Sequence, residues 1–284
     1  MVETAPWWIW PIALFAVTFL LGIVAAVAGI GGGVLFVPIV GSFFPFHLDF
    51  VRGAGLLLAL AGTLAAGPIL LRSGFANLRL VLPLALAGSV ASAAGAVIGL
   101  SLPINIVQTA LGATILAVAV LLWRSKGVGS YEGESDALGA LLRLKGEFED
   151  PAAGRRFDWR TRRTIAGVAS FAAIGFLGGV FGLGAGFANV PALNLLMGAP
   201  LKVAVGSSSL LISVINSSAA WVYINRGAVL PVLAVPSILG IMLGARIGAR
   251  LLGSMPASLV QKVVVLVMFL AGARALLRGL GVWV

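Results

Sequence analysis

Long apolar runs, separated by short polar or charged segments, dominate the chain. Each of eight runs has about 20 residues, which is enough for a helix to cross a hydrocarbon core of roughly 30 Å. The predicted spans are Pro11–Ala28, Gly53–Leu71, Leu80–Leu100, Ile104–Trp123, Ile165–Phe181, Val203–Ile224, Leu230–Leu252 and Ala257–Leu277. Two apolar pieces, Val34–Phe46 and Phe187–Met197, are too short to cross unaided. The pattern predicts an all-α integral membrane protein with eight transmembrane helices.

The two halves of the chain resemble each other. A shift of 153 residues (182 − 29) places the sequence GIGGGVLFVP, Gly29–Pro38, on GLGAGFANVP, Gly182–Pro191. The same shift, without a gap, pairs Gly53 with Gly206, Gly74 with Gly227, Pro83 with Pro236 and Pro103 with Pro256. Glycine and proline mark special backbone positions, so these matches indicate an internal duplication.

The duplication divides the chain into three regions. We predict a first transmembrane repeat at residues 1–123, a charged loop at 124–163 and a second repeat at 164–284, each repeat with four spans and a glycine-rich broken or re-entrant short helix. If each short piece dips in and returns, the repeats are parallel; if it adds a crossing, they are inverted. Length slightly favours re-entrance, and the balance of basic residues does not decide.

The loop at 124–163 holds nine Lys/Arg and seven Asp/Glu residues. The positive-inside rule places it in the cytoplasm. Within it, Ser135–Asp150 has Leu138, Leu141 and Leu142 on one helical face. This pattern is typical of an amphipathic helix on the membrane surface, and the alternative is a linker without regular structure.

Composition supports the membrane assignment, since 60% of residues are hydrophobic and 10% are charged, against roughly 25% charged in soluble domains. The net charge of +10 comes from basic residues scattered at the ends of apolar runs, which indicates topology signals and contacts with anionic lipid. We therefore expect no nucleic-acid partner. The chain has no cysteine, which excludes disulfides and thiolate metal sites. The N-terminus has no basic region and carries Glu3, so it does not resemble a cleaved signal peptide. We expect a multi-pass protein of a bacterial or archaeal plasma (inner) membrane.

The glycine-rich segments are the first candidate site. Irregular backbone survives at membrane depth only where it is buried in protein or lines a wet cavity. Secondary transporters use paired, interrupted segments in two repeats, with helix N-termini facing an anion. We predict an anion site built from backbone N–H groups at Gly31, Gly32, Gly33, Gly184, Ala185 and Gly186. For any single glycine, close helix packing is the alternative explanation.

Hydroxyl and amide side chains follow the second glycine segment. Ser209, Ser213 and Asn216 are spaced i, i+4, i+7, on one face of a helix. We predict that this face lines the anion path, with substrate contacts from Asn189, Ser207, Ser208, Ser209 and Asn216. The alternative is that each serine bonds back to its own helix.

Charged residues near the spans complete the candidates. Arg52, Lys202 and Arg246 are predicted to attract anions, although snorkelling to the interface explains Arg52 and Lys202 equally well and Arg246 also fits the end of its span. His47 and Asp49 are the candidates for proton handling. We expect no metal and no catalytic residue, because the predicted spans contain no paired His/Asp/Glu cluster.

The paired glycine motifs and the stretch VGSSSLLISVINSSAAWVYINRGAV, at residues 205–229, resemble the TauE/SafE family of sulfite and organosulfonate exporters, also called the 4-toluene sulfonate uptake permease family. Two departures stand out: Ala185 interrupts the second glycine run, and Ser207–Ser209 stands where a Thr-Ser pair is expected. The resemblance implies transport of small sulfur oxyanions such as sulfite, sulfonates or sulfoacetate.

The prediction is therefore an exporter that is not an enzyme, needs no cofactor and contacts membrane lipid. An anion channel on the same scaffold and a non-transport assembly factor are the alternatives. A homodimer stays open, and so do the direction of transport and its coupling, for which the substrate's own protonation and the membrane potential are candidates.

Overall fold

Long helices make up most of the structure, a computed structural model that describes residues 8–44, 46–124, 135–150, 154–184 and 186–281. Helices account for 79% of it. The first half contains α1 (Ile9–Ala28), α2 (Gly33–Phe43), α3 (Leu48–Arg72), α4 (Leu78–Gly99) and α5 (Ile104–Arg124). Glycine at positive φ ends α1 at Gly29, and Asn77 caps α4 by accepting from the Leu80 N–H.

The second half follows the same order. It contains α7 (Thr164–Phe181), α8 (Gly186–Pro191), α9 (Leu201–Asn225), α10 (Pro231–Ser254) and α11 (Ala257–Gly279). A π-helical turn at Ala192–Leu196 extends α8 directly after Pro191, a residue type that disturbs regular helical hydrogen bonding. Among the described residues, six helices are long and apolar enough to cross a membrane, as the predicted all-α membrane fold requires: α1, α3, α4, α7, α9 and α10. The count of eight spans and the duplication stay predictions.

The central loop differs from both expectations for it. Its described residues form a short helix, α6 (Ala137–Leu141), and an antiparallel hairpin of β1 (Lys145–Asp150) and β2 (Arg155–Arg160). The prediction of one amphipathic helix over Ser135–Asp150 was wrong, because the helix ends at Leu141 and Lys145–Asp150 is a strand. Phe148 and Trp159 face inward with the two-residue period of strands. The Phe148 ring lies 5.5 Å from the Phe75 ring, in the turn between α3 and α4. The hairpin therefore covers one end of the bundle, which we call the hairpin end.

Close backbone contacts at glycines reveal the helix directions. Gly240, Gly244 and Gly248 of α10 lie in turn against Phe15, Phe19 and Ile23 of α1, so α1 and α10 run parallel. Gly175 and Gly179 of α7 lie in turn against Gly88 and Ser92 of α4, so this pair is also parallel. Each of these contacts joins one helix of the first half to one of the second.

The same contacts show that α1 and α7 run in opposite directions. Gly206 lies beside Phe75 and Ile215 beside Gly88, which makes α9 parallel to α4. A short turn between Asn225 and Pro231 reverses the chain, so α10 opposes both α9 and α4. Since α1 follows α10 and α7 follows α4, the first helices of the two halves are antiparallel. Between them, α3 and α9 pack against each other and carry most of the buried polar residues.

Candidate functional site

The two glycine segments, Gly29–Gly33 and Gly182–Gly186, touch each other inside the bundle. Their backbones share left-handed residues at corresponding positions: φ is 66° at Gly29, 72° at Gly31, 66° at Gly182 and 81° at Gly184. The Leu183 carbonyl oxygen lies 2.5 Å from the place a Cβ would take at Gly33, and the Ile30 carbonyl crowds Gly186 in the same way. The positive φ favours glycine at the first four positions, and the lack of space for a Cβ requires glycine at Gly33 and Gly186. Ala185 lies outside the described residues.

A narrow cavity adjoins the first segment, between α1, α3, α9 and α10. Its polar side chains are Thr63 and Ser209, and Gly31 and Gly32 contribute backbone. The rest of the lining is Gly22, Ala25, Ala26, Gly62, Ala66, Ile241 and Ala245. The cavity leaves about 10 Å³ for the centre of a water molecule, which is room for about one water. The structure thus brings Gly31, Gly32 and Ser209, three of the predicted site residues, to one cavity, and their role in binding an anion stays a prediction.

The other two serines of the predicted site hold the scaffold. Ser208 Oγ donates to the carbonyl of Gly29 and so ties α9 to the end of α1. Ser207 Oγ accepts from the backbone N–H of Asn77, 3.1 Å away, at the start of α4. Ser209 Oγ makes only a long bond, 3.4 Å, to the Val205 carbonyl of its own helix. Ser209 is therefore the serine of this run that faces the cavity.

Asn189 has an unusual environment. It belongs to α8, is fully buried, and neither its amide oxygen nor its amide nitrogen has a hydrogen-bond partner in the described part of the chain. A buried amide without a partner costs about 1–3 kcal/mol, and such groups in native structures call for a functional or hydration explanation. It lies three residues beyond Gly186, in the short helix that the second glycine segment begins.

Polar residues recur every seven positions along the buried side of α9. Lys202, Ser209, Asn216 and Tyr223 are all buried, and Asn216 packs against Gly184. Seven residues are nearly two helical turns, so these side chains line one face. Over the 21 residues from 202 to 223 the face extends about 31 Å, the thickness of a hydrocarbon core.

Arg52 lies at the end of the bundle opposite the hairpin. It is 1% exposed and donates to the carbonyls of Phe181 (3.2 Å), Gly99 (3.3 Å) and Val180. Asp49 forms an ion pair with it at 3.2 Å. The acceptors are the last carbonyls of α4 and α7, where helix dipoles favour a cation. Arg52 is thus a cap buried in protein, whereas the sequence suggested a residue at a pore mouth or snorkelling to the interface.

None of the remaining charged candidates is among the described residues that line the cavity, although Arg246 directly follows the lining residue Ala245. Lys202 is buried at the hairpin end, with Nζ 3.4 Å from the Gly253 carbonyl of α10. Arg246 is exposed on α10. His47 is exposed and caps α3 by accepting from the Asp49 N–H. The His47 ring nitrogen also lies 3.5 Å from an Asp49 carboxylate oxygen, so the two predicted proton-handling groups are neighbours.

Tyr223 is a site residue that was not predicted from the sequence. Its ring lies 5.6 Å from the Arg52 guanidinium carbon, and its buried hydroxyl has no hydrogen-bond partner among the described residues. A Cβ at Gly182 would lie 2.7 Å from that hydroxyl, so Tyr223 borders the second glycine segment. The seven-residue spacing from Asn216 is the signal that could have found it.

Comparison with known proteins agrees with this architecture. Residues 14–275 match the family model described as sulfite exporter TauE/SafE. The chain is 25% identical over 265 residues to "Probable membrane transporter protein ORF9" of Sinorhizobium sp, covering 93% of this chain and 91% of that protein. It is 29% identical over 133 residues to "Probable membrane transporter protein YunE" of Bacillus subtilis (strain 168), a match that spans about half of each protein (47% and 48%). No solved structure matches significantly. The chain belongs to the sulfite exporter TauE/SafE family of multi-pass membrane transporters.

Proposed function

We propose that this protein exports small sulfur oxyanions, such as sulfite or organosulfonates, through a site between the two glycine segments. The observation that carries the proposal is the cavity at Gly31 and Gly32, next to the contact between the segments, with the Thr63 and Ser209 hydroxyls in its wall. Hydroxyl and backbone N–H groups are the neutral donors that oxyanions accept from.

A carrier fits the cavity better than an open channel does. A space for about one water is too small for a sulfur atom with three oxygens, so this conformation is closed around its site. A carrier passes through such a state when it exposes its site to one side at a time. We therefore favour alternating access over a continuous pore.

The helix arrangement supports an inverted duplication. The packing of α1 against α10 mirrors that of α7 against α4, and α5 packs against α11, so exchanging the halves leaves the set of neighbours unchanged. Because α1 and α7 point in opposite directions, we propose that the repeats are inverted, as in many transporters whose sites lie at the repeat interface. This differs from the parallel arrangement that the length of the short pieces slightly favoured. With the hairpin end in the cytoplasm, Arg52 lies toward the outside and Lys202 toward the inside.

Reconstituted vesicles test the proposal. Proteoliposomes that contain the purified protein and are loaded with radiolabelled sulfite should release the label faster than protein-free vesicles loaded in the same way. Unlabelled sulfite outside should accelerate the release by counterflow. Saturation with concentration would support a carrier. Absence of flux above empty vesicles, for sulfite and for methanesulfonate, would overturn the proposal.

A matched pair of glycine variants separates function from folding. Gly184→Val places side-chain atoms against Asn216, whereas Gly227→Val has the same left-handed backbone (φ 81° and 68°) but nothing within 4 Å of its Cβ. Both variants bear the strain of a β-branched residue at positive φ. We expect Gly184→Val to insert but not transport, and Gly227→Val to insert and transport. Equal transport by both would assign Gly184 to packing alone.

A further inference from the structure

We propose that the transported species is a monoanion, so that sulfite crosses as bisulfite and dianions are excluded. This inference rests on the proposed function and specifies the charge of its substrate. It follows from the charges around the cavity, which differ sharply between the centre of the bundle and its two ends.

The cavity wall is uncharged. Its lining contains glycine, alanine, isoleucine, one threonine and one serine, and no ionisable side chain is among the described residues that form it. Thr63 Oγ1 and Ser209 Oγ can each turn their hydroxyl from a carbonyl of their own helix toward a ligand. An anion there would be held by neutral donors alone.

The nearest buried cations are distant and already engaged. Arg52 precedes Thr63 by 11 positions on α3 (63 − 52), about 16 Å along the helix axis. Lys202 precedes Ser209 by seven positions on α9 (209 − 202), about 10 Å. Arg52 donates to helix-end carbonyls and pairs with Asp49, and Lys202 lies against Gly253. These cations lie toward opposite ends of the bundle, too far from the cavity to neutralise an anion at its centre.

Burial therefore discriminates by charge. The Born cost of moving an ion out of water rises with the square of its charge, so a dianion of similar size costs about four times as much as a monoanion. A few neutral donors offset the cost for one charge more easily than for two, and a second charge would need a cation beside it. Bisulfite and simple sulfonates such as methanesulfonate carry one charge, whereas sulfite, sulfate and sulfoacetate carry two, so the inference removes sulfoacetate from the substrates that the family resemblance implies.

The protonation of sulfite makes the inference testable. Bisulfite loses its proton close to neutral pH, so its share of total sulfite falls about tenfold per pH unit above that pKa. Methanesulfonate stays a monoanion throughout and reports any titration of the protein itself. The titratable or charged side chains on the four helices around the cavity are Asp49, Arg52, Arg72, Lys202, Tyr223, Arg246 and Arg250, with His47 next to α3.

The experiment measures initial flux into proteoliposomes for sulfite, methanesulfonate and sulfate, at a fixed total concentration and equal pH on both sides. Protein-free vesicles of the same lipids provide the leak to be subtracted, including permeation by sulfur dioxide at low pH. The pH series runs from about one unit below to about two units above the pKa of bisulfite.

We expect the ratio of sulfite flux to methanesulfonate flux to fall about tenfold per pH unit above the pKa of bisulfite. We expect sulfate flux to stay close to the leak. A ratio that stays flat or rises with pH would overturn the monoanion, as would sulfate flux comparable to that of methanesulfonate. Flux of neither sulfite nor methanesulfonate at any pH would instead overturn the proposed function, and the inference with it.

Discussion

Replacing Arg52 by methionine distinguishes a structural cap from an anion-attracting residue. Methionine keeps an unbranched side chain of similar reach but removes the guanidinium. The carbonyls of Gly99, Val180 and Phe181 then lose Arg52 as a donor, and Asp49 loses its ion pair with Arg52. If Arg52 is a cap, the variant should be less stable even without substrate.

The size of the effect follows from these contacts. A buried carbonyl left without any donor costs about 1–3 kcal/mol, so the loss of three hydrogen bonds to Arg52 costs at most about 3–9 kcal/mol. Removing a buried cation recovers several kcal/mol of desolvation, and breaking a buried ion pair typically costs about 3–5 kcal/mol in total. We expect a net loss of about 3 kcal/mol, equivalent to a decrease of about 6–12 °C in Tm for a chain of this size.

The assay combines thermal unfolding in detergent with sulfite flux in vesicles. Arg52→Lys keeps the charge but loses the planar fork of donors, so a cap predicts that its Tm also falls, by roughly half as much. Lys202→Met, at the opposite end of the bundle from Arg52, is a matched control that loses a hydrogen bond of 3.4 Å from Nζ to the Gly253 carbonyl. A role in anion attraction predicts the reverse: unchanged Tm for Arg52→Met, a raised KM, and full rescue by lysine. That result would refute the cap.

Three further variants test other contacts. Asn189→Leu removes a buried amide that has no hydrogen-bond partner among the described residues, so Tm should rise by a few degrees while sulfite flux falls. Sulfite flux at the wild-type level would exclude Asn189 from the site. Thr63→Val keeps the shape of the side chain but removes one cavity hydroxyl, so flux should fall at least several-fold with normal yield, and an unchanged KM and rate would contradict its predicted contact. Asp136→Ala removes the carboxylate that accepts from the Thr164 N–H at 2.9 Å, so Tm should fall by about 2–4 °C with flux unaffected; a loss of flux would show that the loop takes part in transport.

Sequence predicted the features that backbone chemistry controls. The glycine segments stood out because glycine is the residue that left-handed backbone favours, and four of their glycines do have positive φ. Helix ends came within a few residues, since apolar runs and glycine or proline boundaries mark them. The contact between the segments was expected only as part of a shared site, and its interlocking of Ile30 with Gly186 depends on packing that no local pattern shows.

Long-range partners explain what sequence could not predict. Arg52 looks like an interfacial residue because it stands near a span end, but its acceptors Val180 and Phe181 are 128 and 129 residues away. The hairpin was not predicted for a related reason. Most residues of Lys145–Asp150 are charged, and the inward side chain, Phe148, has its ring partner in Phe75, which lies in the turn between α3 and α4, far away in the sequence.

The two halves, which we propose are inverted repeats, differ in their polar side chains, and on that proposal the difference bears on transport. Under the 153-residue shift, Thr63 corresponds to Asn216, Phe36 to Asn189 and Arg52 to Val205. With identical halves, an inverted repeat would make the inward-facing and outward-facing states equal in energy. Unequal side chains give the two states different populations and different affinities, because each state exposes a different half. The electrochemical gradient of the transported anion still decides the net direction of transport. The side chains that differ between the halves, more than the shared glycines, are therefore where variants should shift the balance between the two states without abolishing transport.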